Sequence, residues 1–268
     1  MKTSYQMVGP QGRQLWTKTF STQEPFHGFV ILGTGSGEIR SVDDESTEEI
    51  CTWLCDLGWS SVVYDKYGRG ESDGDWKNVT FDDLRDDLTI LSEHFKSQTL
   101  GKLIILGQSE SSILAAEAAT KTKGIDALIL RVASHQDISD RIQMQLGHEK
   151  WNKWLSDLEN AKESGKMFVA SHPVSYWRSR MNRALTGDII PQLSIPILAL
   201  NGADDKFTPP PAFEKIHTAL LQNRNAFHKA VVIPGVGHGL MLPTEKWSSS
   251  AVSKEIHNFL TMVSAQQP

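Results

Sequence analysis

The chain has 268 residues, 39% hydrophobic and 22% charged, with a formal net charge of −5, which suits one large core and argues against wholesale binding to nucleic acid or an anionic membrane. Its opening, MKTSYQMVGPQGRQLW, is polar, and no apolar run reaches the roughly 18 residues a membrane span needs, so the expectation is a cytoplasmic protein. Cys51 and Cys55 are too few for a zinc site or a disulfide scaffold and read as small buried hydrophobes on one helix.

The first twenty residues alternate loosely around GPQG, as an edge hairpin does. FVIL (29–32) is a short buried strand leading into GTGSG. Ile50, Trp53, Leu54 and Leu57 recur at helical spacing over 46–58, and SSVVYD (60–65) is again a strand. FDDLRDDLTILSEHF (81–95) sets Leu84, Leu88, Leu91 and Phe95 on one helical face, with Thr80 as its cap. LIIL (103–106) is a strand, 110–121 a helix and ALIL (127–130) a strand. After a long interruption come the strand PILAL (196–200), a helix over 210–222, the strand AVVI (230–233) and a terminal helix over 246–263. Strand–helix alternation with continuously apolar strands predicts an α/β fold whose mostly parallel central sheet is covered by helices on both faces. Residues 138–194 break the pattern. WNKWLSDLENAKESG and SYWRSRMNRAL read as helices with no convincing strand between them, so 138–194 is expected to be a helical cap (lid) inserted between core segments 1–137 and 195–268.

Three stretches carry candidate chemistry. In GQSES (107–111) Ser109 lies between a buried strand and a helix, where it can serve as an N-cap or as a nucleophile held on a sharp turn. IPILALNGADDKFTPP (195–210) puts Asp204 and Asp205 in a loop after a strand, where solvation alone could also account for acids. VVIPGVGHGLML (231–242) puts His238 between glycines after the last strand, an unusual setting for a core histidine. The order Ser, Asp, His, each after a separate parallel strand, is what a parallel sheet needs to gather three distant residues. GTGSG lacks the lysine of a P-loop and the spacing of a dinucleotide fingerprint, so a phosphate cradle is disfavoured.

Together these segments resemble the α/β-hydrolase superfamily over residues 28–264, in particular its single-domain members with a helical cap. LGWSSVVYDKYGRGESDG (57–74) is similar to the family's D-x-x-G-x-G-x-S segment, with Asp65, Gly68, Gly70 and Ser72 shaping a loop beside the site. The resemblance implies a catalytic Ser109, Asp205 in preference to Asp204, and His238, with backbone N–H groups of Thr34 and Glu110 forming the oxyanion hole. Two positions depart from the pattern: Leu32-Gly33 replaces His-Gly before Thr34, and Ser111 stands where the elbow usually ends in glycine.

The expected function is cleavage of a carboxylic ester or thioester through an acyl-enzyme, on a small-molecule or carrier-bound acyl substrate, with no metal or organic cofactor. The same parts serve an acyltransferase, a carbon–carbon bond hydrolase or a non-catalytic binding protein. Sequence sets no oligomeric state. Glu110 has no obvious cationic partner in the sequence and is expected to point outward from the first turn of its helix, or else to steer a hydroxyl or amine of the substrate. Trp151, Trp154, Met167, Phe168, Tyr176, Trp177 and Met181 either line an apolar acyl pocket or hold the cap to the sheet. Arg178, Arg180 and Arg183 either meet an anionic substrate group or form a solvated face.

Overall fold

The structure, a computed structural model, describes residues 1–266 apart from 24, 38–39, 165–167, 170–171, 182, 224–226 and 243–244, and gives the backbone alone at 145, 162–164 and 168–169. Strands β1 (Lys2–Val8) and β2 (Leu15–Ser21) form an antiparallel hairpin. There follow β3 (Gly28–Gly33), α1 (Glu45–Asp56), β4 (Trp59–Tyr64), α2 (Phe81–Ser97), β5 (Lys102–Gln108), α3 (Glu110–Lys121) and β6 (Ala127–Arg131). The interruption holds α4 (Ile138–Leu146), α5 (His148–Ser164), the two-residue strands β7 (Phe168–Val169) and β8 (His172–Pro173), α6 (Val174–Arg180) and α7 (Thr186–Ile189). The chain ends with β9 (Ile197–Gly202), α8 (Pro210–Asn223), β10 (Lys229–Ile233) and α9 (Ala251–Ser264).

Eight strands form one sheet in the order β1-β2-β4-β3-β5-β6-β9-β10. The hairpin joins antiparallel through β2 and β4, and every pairing from β4 to β10 is parallel. Alternate strand residues enter two separate cores. Ile31, Leu103, Ile105, Leu128 and Leu130 face α2, α3 and α8, while Val30, Leu32, Ile104, Leu106 and Ile129 face α1 and α9. Strands buried on both faces have no polar side to show, which is why their sequences are continuously apolar. β10 lies at the sheet end and is partly exposed, Val232 at 44%.

Cys51 and Cys55 are free and buried, as expected. Thr80 caps α2 through a full capping box: its side chain accepts from the Asp83 N–H, and the Asp83 carboxylate accepts from the Thr80 N–H. Two expectations for 138–194 are corrected. A strand pairing does lie between its helices, β7 against β8, a two-residue ladder too short to leave an alternation in the sequence. The helix expected over SYWRSRMNRAL ends at Arg180, where Met181 turns extended. No helix among the described residues is long and apolar enough to cross a membrane.

Candidate active site

In a parallel sheet the carboxyl ends of the strands share one edge. The pairing Gly33↔Gly107 brings the end of β3 beside that of β5. These two strands flank the point where connections leave in opposite directions, β3 to β4 on one side and β5 to β6 on the other, the crevice open α/β sheets use for ligands.

Ser109 sits between β5 and α3 at φ 53°, ψ −110°, and its side chain makes no capping hydrogen bond. The N-cap explanation therefore fails. A left-handed, non-glycine backbone at this position is a strained turn that holds the hydroxyl out of the helix. The turn is tight: a Cβ on Gly107 would come 2.3 Å from the Ser111 carbonyl oxygen. A Cβ on Gly33 would come 2.7 Å from that of Ser111, so glycine on β3 makes the room that serine at 111 takes up. The Ser111 hydroxyl then donates to the Thr34 carbonyl, fastening the nucleophile helix to the glycine loop.

Asp205 follows β9 and is 2% exposed, whereas Asp204 is exposed. Asp205 Oδ1 accepts from the N–H groups of Phe207 (2.8 Å) and Thr208 (2.9 Å), leaving Oδ2 for His238 Nδ1 at 2.8 Å. A carboxylate only accepts, so His238 Nδ1 carries the proton and Nε2 faces Ser109 Oγ at 3.1 Å as the acceptor. Burial raises the Asp205 pKa, but the His238 hydrogen bond and the Thr208 and Phe207 amides outweigh it and hold the carboxyl below its ordinary range. Arg131 braces this arrangement from beneath, donating to Gln108 Oε1 at 3.1 Å and to the Gly239 carbonyl at 3.3 Å. Burial lowers its pKa to about 10.

Thr34 is the first residue past β3, and a Cβ on the next residue, Gly35, would lie 3.8 Å from the Ser109 Cβ. Glu110 is the first residue of α3, and the N–H groups of a helix's first turn have no partner within the helix. Both expected oxyanion residues thus flank Ser109. In the 57–74 segment, Ser72 ties the loop to the hairpin, donating to the Asp65 carbonyl at 2.6 Å and accepting from the Trp16 N–H at 2.8 Å.

The Glu110 side chain corrects the sequence reading. It points inward, 1% exposed, and meets three partners: Lys66 Nζ at 2.9 Å, Arg180 at 3.5 Å and the Tyr176 hydroxyl. Burial alone would raise its pKa, but the charges of Lys66 and Arg180 and the hydrogen bonds from Tyr176 and Lys66 bring it down to about 2. A carboxylate so neutralised does not oppose negative charge developing at the neighbouring amide. Nor is it free to receive a substrate amine. Lys66 also donates to the Gly35 carbonyl, and Ser36 Oγ lies 2.9 Å from His172 Nε2, so the glycine loop is bonded to α3 and to β8. The sequence reading named neither Lys66 nor His172. The DKYG loop and the cap gave no local sign that they would meet residue 110.

The aromatic residues of 138–194 pack on one another. Trp151 stacks on Trp154, Trp177 meets Trp154 edge-on, and all three are buried with Tyr176 in the α2–α3 core. Met181 packs against the same core, Met167 lies outside the described residues, and Phe168 is described by backbone alone. Arg183 is not a solvated charge: it is held by Glu117 and Asp82.

A family model described as serine aminopeptidase, S33, matches residues 42–174. No curated protein matches the chain. Among solved structures, Est1E from Butyrivibrio proteoclasticus with bound ferulic acid superposes with a TM-score of 0.70 at 16% identity, covering 97% of this chain and 100% of that one. A highly thermostable carboxyl esterase from Bacillus coagulans in complex with glycerol gives 0.72 at 16%, over 99% and 100%. Proline iminopeptidase from Mycobacterium smegmatis gives 0.68 at 14%, over 97% and 99%. At such identities these structures speak to fold. With its parallel sheet, helices on both faces and helical insertion after β6, the chain has the α/β-hydrolase fold.

Proposed function

We propose that this protein is a serine hydrolase that cleaves a carboxylic ester or thioester through an acyl-enzyme intermediate. The observation that carries the reading is the unbroken chain Ser109 Oγ–His238 Nε2 (3.1 Å) and His238 Nδ1–Asp205 Oδ2 (2.8 Å), anchored on a serine with a strained backbone whose side chain makes no capping hydrogen bond. His238 removes the hydroxyl proton as Ser109 Oγ attacks the carbonyl carbon. Asp205 holds the imidazole tautomer and offsets the charge it gains. The oxyanion is received by the N–H groups of Thr34 and Glu110. His238 then gives its proton to the leaving alcohol or thiol, and a water, deprotonated by the same imidazole, releases the acid. The esterases among the structural neighbours support the choice of ester chemistry.

The test is labelling with a fluorophosphonate probe. The protein should become covalently modified at Ser109 and hydrolyse activated esters, and Ser109→Ala should lose both, with a fall in kcat of about 10⁴-fold or more. Folded protein that takes up no probe would instead be a ligand-binding member of the fold.

A further inference from the structure

A small cavity of about 30 Å³ opens between α3, α4 and α6, lined by Ile113, Ser134, Arg141, Arg180 and Thr186 among others. It has room for about two waters. Its polar lining is incomplete. Ser134 and Thr186 are 4% and 1% exposed, yet neither hydroxyl has a hydrogen-bond partner among the described residues, and the same holds for the buried Oε1 of Gln136 at its rim. Buried hydroxyls left without partners cost free energy unless something in the cavity completes them.

The charges around it are unequal in their commitments. Arg183 is held by Glu117 and Asp82, and Arg180 by Glu110 and Tyr176. The one carboxylate in the lining, Asp137, caps α4 by accepting from the Ser139 N–H at 2.7 Å. Arg141 makes no side-chain hydrogen bond or ion pair among the described residues, although it lies close enough to Glu110, Asp205 and Arg180 to feel their fields. Ile113, one of the residues lining the cavity, lies four positions beyond Ser109, about 6 Å along the axis of α3 at 1.5 Å per residue.

We propose that this cavity is a subsite for a carboxylate on the substrate, received by the Arg141 guanidinium and the Ser134 and Thr186 hydroxyls, so that the preferred ester carries an acidic group a few bonds from its scissile carbonyl. The proposal rests on the hydrolase reading and narrows its substrate class. Arginine supplies a planar pair of N–H donors and the two hydroxyls supply rotatable ones, the set a carboxylate needs to fill its lone pairs. The cavity is too small for a tetrahedral phosphate with its own hydration. A peptide's cationic amino terminus would meet Arg141 and Arg180, while Glu110 is already neutralised.

Two measurements separate this proposal from the reading it rests on. Binding is measured calorimetrically on Ser109→Ala protein, where no turnover intervenes, with the monomethyl and dimethyl esters of succinic, glutaric and adipic acid and with methyl phosphate. One monomethyl ester should bind at least tenfold more tightly than its dimethyl counterpart, and Arg141→Gln or Thr186→Val should each cut that ratio at least threefold. The ratio is taken within one preparation, so loss of folded protein cancels. Equal affinity of the mono- and dimethyl esters overturns the subsite and leaves a cavity that holds only water, and tighter binding of methyl phosphate than of every monomethyl ester overturns the carboxylate assignment. Hydrolysis of p-nitrophenyl hydrogen glutarate against p-nitrophenyl methyl glutarate by the unmodified chain should show the same preference in kcat/KM, carried by KM. Tight monoester binding without hydrolysis of either ester sinks the hydrolase while keeping the subsite. Equal hydrolysis of both keeps the hydrolase and sinks the subsite.

Discussion

Among the described residues Ser109 shares its left-handed backbone with two other non-glycine residues, Val132 after β6 and Leu240 in the loop after β10, and all three lie in connections that follow strands at the carboxyl edge of the sheet. Each such conformation costs about 1–3 kcal/mol, and for a β-branched residue such as Val132 it is a genuine outlier. The packed sheet holds these positions, since Val132 donates to the Leu200 carbonyl and Ser109 to the Arg131 carbonyl. The geometry around His238 makes a sharp prediction for its partner. Asp205→Asn keeps the size of the side chain but can present an N–H to Nδ1, favouring the tautomer whose Nε2 is protonated and cannot take the serine proton. We expect kcat to fall about 10⁴-fold with a nearly unchanged unfolding midpoint, read by steady-state kinetics and urea denaturation on the same protein. Ser109 and His238 were legible because each sits in a short stretch of small residues beyond a strand, a local pattern, whereas Asp205 was told from Asp204 only through the resemblance to a known family. The environment of Glu110 was not, because Lys66 and Arg180 lie 44 and 70 positions away and no spacing rule links them.

Helix α2 shows how a local code and a tertiary one combine. Thr80 and Asp83 satisfy each other's backbone N–H groups before the apolar face of Leu84, Leu88 and Leu91 goes down on the sheet. Thr80→Ala removes the hydroxyl that receives the Asp83 N–H and should cost about 1 kcal/mol in equilibrium unfolding, with no change in fluorophosphonate labelling of Ser109. The strands and core helices were readable because burial on both faces, or on one, imposes its period on the sequence. The insertion was readable only in part. The β7–β8 pair has two residues a side, and α6 stops at Arg180, after which Arg183 is held by Glu117 and Asp82, acids too distant in sequence for a local pattern to announce. The tryptophans of 138–194 carried no signal distinguishing a ligand wall from self-packing, and the structure shows self-packing.

At the scale of the molecule, two buried carboxyls pull stability in opposite directions with pH. Glu110 has a folded pKa of about 2 against an ordinary 4.5, so its contribution is complete above 4.5 and is lost as pH falls from 4.5 toward 2. Burial pushes Asp87 up to about 8 from 3.8, so its ionisation is a growing cost as pH rises across that interval. Glu110→Gln should lower stability by about 3–5 kcal/mol at neutral pH, because Lys66 stays buried without its counter-charge, and should flatten the acid limb of a plot of urea midpoint against pH. An unchanged acid limb would mean that Glu110 is not the group titrating there. A buried ion cluster is seldom a net source of stability compared with an apolar core of equal volume. Its consequence here is geometric: Lys66 grips the Gly35 carbonyl with the same ammonium that holds Glu110, and Glu110 in turn grips Tyr176 and Arg180. Peeling α6 away from the sheet would strand an anion in a dry interior, so the side of Ser109 that carries Glu110 and the glycine loop is held rigid, and any opening of this region falls to segments other than α6.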